Sequence, residues 1–119
     1  LAVNCVINPL TALNNINNGL VNNTHYQQSI TKLLQEIVLV AQAEHIVLSS
    51  STLANTVARV AQATAKNCSS MRCDVLAKRQ TEIDYINGYI HRLGLKHGIA
   101  TPENSKMWQL ISQLTPQNI

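Results

Sequence analysis

Apolar residues recur in this chain at intervals of three and four, and no stretch alternates at intervals of two. From Ser29 onward, Ile30, Leu33, Leu34, Ile37, Val38 and Ala41 fall at i, i+3, i+4, i+7, i+8 and i+11, the spacing of one amphipathic helix face. Leu53, Val57, Val60, Ala61 and Thr64 predict a second helix running to about Asn67, with Ser49-Ser50-Ser51 supplying N-cap hydroxyls. A short helix is expected over 71–79. Thr81-Glu82-Ile83-Asp84 has capping-box spacing, with Asp84 where Glu is more usual. Behind it Ile83, Ile86, Ile90, Leu93 and His97 predict a helix that stops at Gly98. Pro102 suits the first position of a last helix with the face Met107, Leu110, Ile111 and Leu114, and Pro116 lies past its end. No hairpin dipeptide and no internal repeat is present. The expected fold class is all-α, with five to seven helices.

The length, 119 residues, suits a single domain over 1–119, and a hydrophobic share of 45% is enough to build its core. Charged residues are only 13%, and the net charge of +3 comes from scattered side chains with no basic stripe, so no nucleic-acid partner is expected. No run of eighteen apolar residues exists, so no spanning helix and no membrane partner is expected. The three cysteines, Cys5, Cys68 and Cys73, are odd in number and form no CxxC pair, which suits reduced thiols in a cytoplasmic protein. His25, His45, His91 and His97 lack HxxxH or HExxH spacing; they read as surface or rim residues, and no metal site is expected. Leu1–Ile7 opens in mid-pattern with no cap before it and no signal or transit segment, an arrangement expected of a piece of a longer protein.

Asparagine is over-used: thirteen copies, eight of them in the first twenty-three residues. Its amide competes with helical hydrogen bonds, so such crowding means caps, turns or a polar site of neutral amides. Asn4 and Asn8 are four apart and share a helix face before Pro9, which is expected to disturb the helix. Together they either donate to and accept from a small polyoxygenated ligand or bond to backbone at a kink. Ser70, before a short helix, reads either as its N-cap or as a hydroxyl offered to an anion. Glu82 is favoured by the macrodipole of a first turn whatever its role, and Asp74 and Asp84 have similarly ordinary readings. Met71, Met107, Trp108 and Tyr26, Tyr85 and Tyr89 read as core or interface, and Arg72, Lys78 and Arg79 as a solvated face rather than a phosphate patch. The four glycines form no GxGxxG or P-loop, so the chain carries no nucleotide fingerprint of its own.

Four strings, Leu1-Ala2-Val3-Asn4-Cys5-Val6-Ile7-Asn8-Pro9-Leu10-Thr11-Ala12, Asn18-Gly19, Ser69-Ser70-Met71 with Asp74, and Thr81-Glu82-Ile83-Asp84-Tyr85-Ile86-Asn87-Gly88, stand in an order and register that resemble the C-terminal domain of ketopantoate reductases (2-dehydropantoate 2-reductases). His97-Gly98-Ile99 and Thr101-Pro102-Glu103-Asn104 extend the likeness to about Ile111. The resemblance implies an all-α domain of the 6-phosphogluconate dehydrogenase C-terminal-like type. It also implies an NADP-binding Rossmann domain on the N-terminal side and reduction of ketopantoate to pantoate in pantothenate biosynthesis. By the same resemblance Asn4, Asn8, Asn18 and Ser70 match substrate-binding positions, Glu82 a glutamate that contacts NADP, and Asn67 lies near that shell. The family's general-acid lysine would stand just before Leu1, outside this chain, which alone is expected to be inactive. Two other readings stand beside this one: a related reductase of another 2-oxo acid, and a free-standing helical module that self-associates. Association, a homodimer included, is left open.

Overall fold

The computed structural model describes residues 1–114, so Pro116 lies outside the described residues. Six α-helices are described: α1 (Ala2–Asn14), α2 (Gln27–Ala43), α3 (Ser50–Ala63), α4 (Ser70–Leu76), α5 (Asn87–His97) and α6 (Pro102–Leu114). Single 3-10 turns occupy Asn18–Asn22, Thr24–Tyr26 and Ile83–Tyr85, and there is no strand among the described residues. The chain is all-α. α3 and α4 end a few residues earlier than their patterns suggest.

α1 is the central element, packing against α2, α3, α4 and α6. Every residue from Cys5 to Ala12 is buried, and Val6, Ile7 and Leu10 bring roughly 1.5–3 kcal/mol each from burial. Contrary to expectation, α1 runs straight through Pro9 to Asn14. Proline has no N–H to offer the carbonyl four residues back, here that of Cys5. That carbonyl instead accepts from Asn87 Nδ2 at 3.0 Å, so a side chain from α5 fills the gap in the helix ladder. Asn87 is wholly buried, and its Nδ2 also donates to Asn104 Oδ1 at 2.9 Å.

The polar chain continues into α2. Asn104 Nδ2 donates to the Leu33 carbonyl at 3.2 Å and to Glu36 Oε1 at 2.9 Å. Glu36 is itself buried on the core side of α2 and accepts from the backbone N–H groups of Glu103 and Asn104, each at 3.0 Å. A carboxylate from α2 thus caps the N-terminus of α6, where the free N–H groups and the helix dipole both favour negative charge.

The helix expected from Thr81 is divided. Thr81 Oγ1 accepts from the Ile83 N–H at 3.3 Å, while the Asp84 carboxylate accepts from Trp108 Nε1 at 2.8 Å. Asp84 is one methylene shorter than the usual glutamate, and the indole takes it outward; no capping box forms. α5 starts only at Asn87, after Ile86 leaves helical geometry (φ −114°, ψ −89°). Ile83, Ile86 and Ile90 are nonetheless all buried, so their spacing marked the inward face across two elements. Gly98 ends α5 in the left-handed region at φ 67°. Met71 and Met107 are core residues and Trp108 packs against that core, whereas Tyr85 and Tyr89 are exposed.

Candidate functional site

α1 places Asn4, Asn8 and Thr11 along one side, since positions four and seven apart nearly superpose in projection. Asn4 is exposed. Asn8 is buried, and its Nδ2 donates to Glu82 Oε1 at 2.7 Å across 74 positions of sequence. The half-buried Glu82 is the residue just before the 3-10 turn at Ile83–Tyr85, so two of the motifs meet in one bond. That bond uses one proton of the Asn8 amide and leaves the second proton available to a ligand.

α4 packs on the same side of α1. Its N-cap is Ser69 rather than Ser70: the Ser69 hydroxyl accepts from the Arg72 N–H at 3.1 Å and sits 2.7 Å from Thr11 Oγ1. Thr11, fully buried, bonds back to the carbonyls of Ile7 at 2.7 Å and Asn8 at 3.1 Å. Ser69 having taken the cap, Ser70 is the first helical residue, with its side chain exposed. The cap falls to Ser69 and leaves the Ser70 hydroxyl outside it.

Asn18 is held differently. Its backbone N–H donates to the Asn67 carbonyl at 3.1 Å and that of Gly19 to the Ala65 carbonyl at 3.0 Å. A Cβ on Gly19 would lie 2.7 Å from Ala65 Cβ, so the Asn-Gly pair lets two backbones touch where any larger residue would part them. The Asn18 side chain points inward, donating to Thr64 Oγ1 at 3.0 Å, and its Oδ1 is buried without a partner. The structure therefore joins Asn8 to Glu82, docks the start of α4 on α1 through Ser69 and Thr11, and ties Asn18 and Asn67 to one another, with the Asn18 amide turned away from solvent. Asn67 contributes its carbonyl, and its side chain is exposed.

Reasoning from motifs missed Thr11 and Ser69, the pair that fixes α4 on α1; a threonine seven residues after Asn4 was the available signal. It also missed Asn15 and Asn17, whose Oδ1 atoms accept from Arg72 Nε at 3.0 Å and Nη1 at 2.6 Å. Arg79 pairs with Asp74 at 3.2 Å, so the basic residues near α4 do not converge on one anion. Cys5 is buried within α1, and burial pushes its thiol up to about 12, too high for a nucleophile at neutral pH. Among the described residues no group of three or more His, Cys, Asp or Glu could hold a metal ion, and no helix is long and apolar enough to cross a membrane. A cavity of about 290 Å³ lies between α5 and α6 at His91, Leu95 and Ser105, and its lining includes none of the candidate residues. The candidate residues are the exposed Asn4 and Ser70, the half-buried Glu82 and the buried Asn8 and Asn18.

A family model described as ketopantoate reductase PanE/ApbA C terminal matches residues 1–115. The chain belongs to the ketopantoate reductase family. It is 49% identical over 114 residues to a 2-dehydropantoate 2-reductase of Vibrio cholerae, covering 96% of this chain and 38% of that protein. A 2-dehydropantoate 2-reductase of Pyrobaculum aerophilum is 43% identical over 112 residues, 93% of this chain and 40% of that one. The chain thus spans about two fifths of the length of its ketopantoate reductase relatives, as their C-terminal part. Among solved structures, a D-mandelate dehydrogenase in ternary complex with NADH and anilino(oxo)acetate superposes with a TM-score of 0.90 at 28% identity, over 95% of this chain and 38% of that chain.

Proposed function

We propose that this chain is the substrate-closing domain of an NADPH-dependent 2-dehydropantoate 2-reductase that converts ketopantoate to pantoate in pantothenate biosynthesis, in the cytoplasm. The observation that carries the reading is the 2.7 Å bond between Asn8 and Glu82, which joins the family's substrate and cofactor motifs at one point of a member of that family. A ligand rich in hydroxyl and carboxylate oxygens calls for neutral donors and a hydroxyl. Asn4 and Ser70 expose such groups, and Asn8 retains one donor. Exposed polar side chains are also what a domain would present if it closed over substrate held by a second domain.

Asn18 is accounted for within this reading. Its Oδ1 is an orphaned buried acceptor, and leaving such an atom unpaired costs about 1–3 kcal/mol. That penalty makes rotation toward a ligand hydroxyl inexpensive, so Asn18 would join the site when substrate arrives. The donor set also suits a dinucleotide at its sugar or carboxamide end: the Glu82 carboxylate accepts from hydroxyl or amide N–H groups and repels phosphate. The bound nicotinamide would supply hydride to the ketone carbon, while Asn8, Asn4 and Ser70 orient the oxo acid and support charge growing on its oxygen. The family's general-acid lysine would precede Leu1, and the dinucleotide would rest on a Rossmann domain on that side.

The likeness to a D-mandelate dehydrogenase favours one further reading, a reductase of a different 2-oxo acid. NADPH consumption by the full-length enzyme, with ketopantoate against a panel of branched and aromatic 2-oxo acids, separates the two. Preference for ketopantoate, with a loss of about 100-fold in kcat/KM in Asn8→Ala, is the expected result. Turnover of an aromatic acid with none of ketopantoate would move the function to the second reading.

A further inference from the structure

Cys68 and Cys73 flank the cap of α4. With Ser69 as N-cap, Cys68 is the residue before the cap and Cys73 the fourth residue of the helix. In a hydrophobic staple these two positions carry side chains that pack on one another and fix the angle at which the chain enters the helix. Here both are thiols. Cys73 Sγ reaches to 4.0 Å from the Cys68 carbonyl, and its N–H donates to the Ser69 carbonyl at 3.0 Å, so helical geometry holds it beneath the incoming chain. Cys68 is exposed and Cys73 half-buried, in contrast to the wholly buried Cys5.

We propose that Cys68 and Cys73 form a dithiol modification site that closes to an intramolecular disulfide on meeting a small-molecule disulfide such as oxidised glutathione. A disulfide needs Cβ atoms about 3.5–4.5 Å apart, and the staple positions together with the contact of Cys73 Sγ to the Cys68 carbonyl hold the two residues facing one another. In the first step the Cys73 thiolate attacks one sulfur of oxidised glutathione, forming a mixed disulfide and releasing one glutathione thiolate. In the second the Cys68 sulfur attacks the Cys73 side of that mixed disulfide, forming the internal bond and releasing the second glutathione. The protein loses two electrons and two protons, and one oxidised glutathione becomes two reduced ones. A hydrogen bond with Cys73 first, and then desolvation, raise the Cys68 pKa, which agrees with the two side chains lying side by side. The product is a six-residue ring around Ser69 and Ser70.

The test is incubation of the folded chain with oxidised glutathione, followed by denaturation, alkylation of the remaining thiols and mass spectrometry. The reduced chain should take three alkyl groups and the oxidised chain one, at Cys5, with a loss of two hydrogens and no glutathione retained. Trypsin cuts after Lys66, Arg72 and Lys78, so the bond should appear as Asn67–Arg72 linked to Cys73–Lys78. Cys5→Ser should leave that linked pair unchanged, whereas Cys68→Ser and Cys73→Ser should abolish it. Glutathione adducts that persist without closing, a bond to Cys5, bonds between chains, or three alkylatable thiols after treatment would each overturn the proposal.

Discussion

Asn87 shows how much one side chain can carry when a proline stands in a core helix. It donates both to the Cys5 carbonyl left without a partner by Pro9 and to Asn104. Asn87→Leu would orphan two buried acceptors at roughly 1–3 kcal/mol each but remove the unpaired Asn87 Oδ1, so urea denaturation should show a net loss of about 1–3 kcal/mol. In a Pro9→Ala background the backbone N–H restored at that position can donate to the Cys5 carbonyl. The penalty of Asn87→Leu should then fall by about 1 kcal/mol, measured as the coupling of a double-mutant cycle. Full additivity would show that Asn87 does not fill the proline gap. At this scale the sequence offered Asn8, Ser70 and Glu82 as candidates through their motifs, and it set Asn87 in the same string as Glu82. It hid Asn87's role because a polar residue inside a helix signals nothing until the element across from it is known.

At the level of elements, α2 is tied to its neighbours by two carboxylates, one at mid-helix and one just past its C-terminal end. Glu36 accepts three hydrogen bonds from α6, and Glu36→Gln keeps the shape while removing one acceptor oxygen and the charge. The expected loss is about 2–3 kcal/mol, seen as a lower urea midpoint at unchanged slope. Glu44, just past the end of α2, bonds to His97 and, at 3.2 Å, to Lys96 in the last turn of α5. The His97 hydrogen bond first, and then Lys96, hold the Glu44 carboxyl below the usual range. A lowered pKa in the folded state contributes stability above the unfolded value, about 4.3, which is lost as pH falls through the folded value. Glu44→Gln should therefore denature earlier than the parent at about pH 6, and the gap should close toward about pH 3. Six helices were readable because their faces repeat; the break at Ile86 was not, because buried isoleucines keep the same spacing on either side of it.

For the whole molecule, the nucleotide fingerprint is missing from the sequence, and of Asn4, Asn8 and Asn18 only Asn4 is exposed. The 119-residue chain should fold cooperatively by circular dichroism and consume no NADPH, and turnover by the chain alone would contradict its assignment as a closing domain. All-α architecture was legible because helical period is local. The site was only partly so: the motifs named residues, but whether an amide faces outward, as at Asn4, or inward, as at Asn18, depends on contacts with Thr64 and Ala65 far along the chain.

The cap that Glu36 places on α6 also sets an order of events during synthesis. Its three donors belong to residues 103 and 104, and α6 itself begins at 102, 66 positions after residue 36. At about 5–20 residues per second that interval is roughly 3–13 seconds. Throughout it a carboxylate on the core face of α2 has nothing to receive it, and the nascent chain has every reason to keep that face in water. A ribosome-arrested chain ending before Pro102 should remain open to protease, and one extended through Leu114 and a linker clear of the exit tunnel should become resistant. α6 is the helix that lets the centre close.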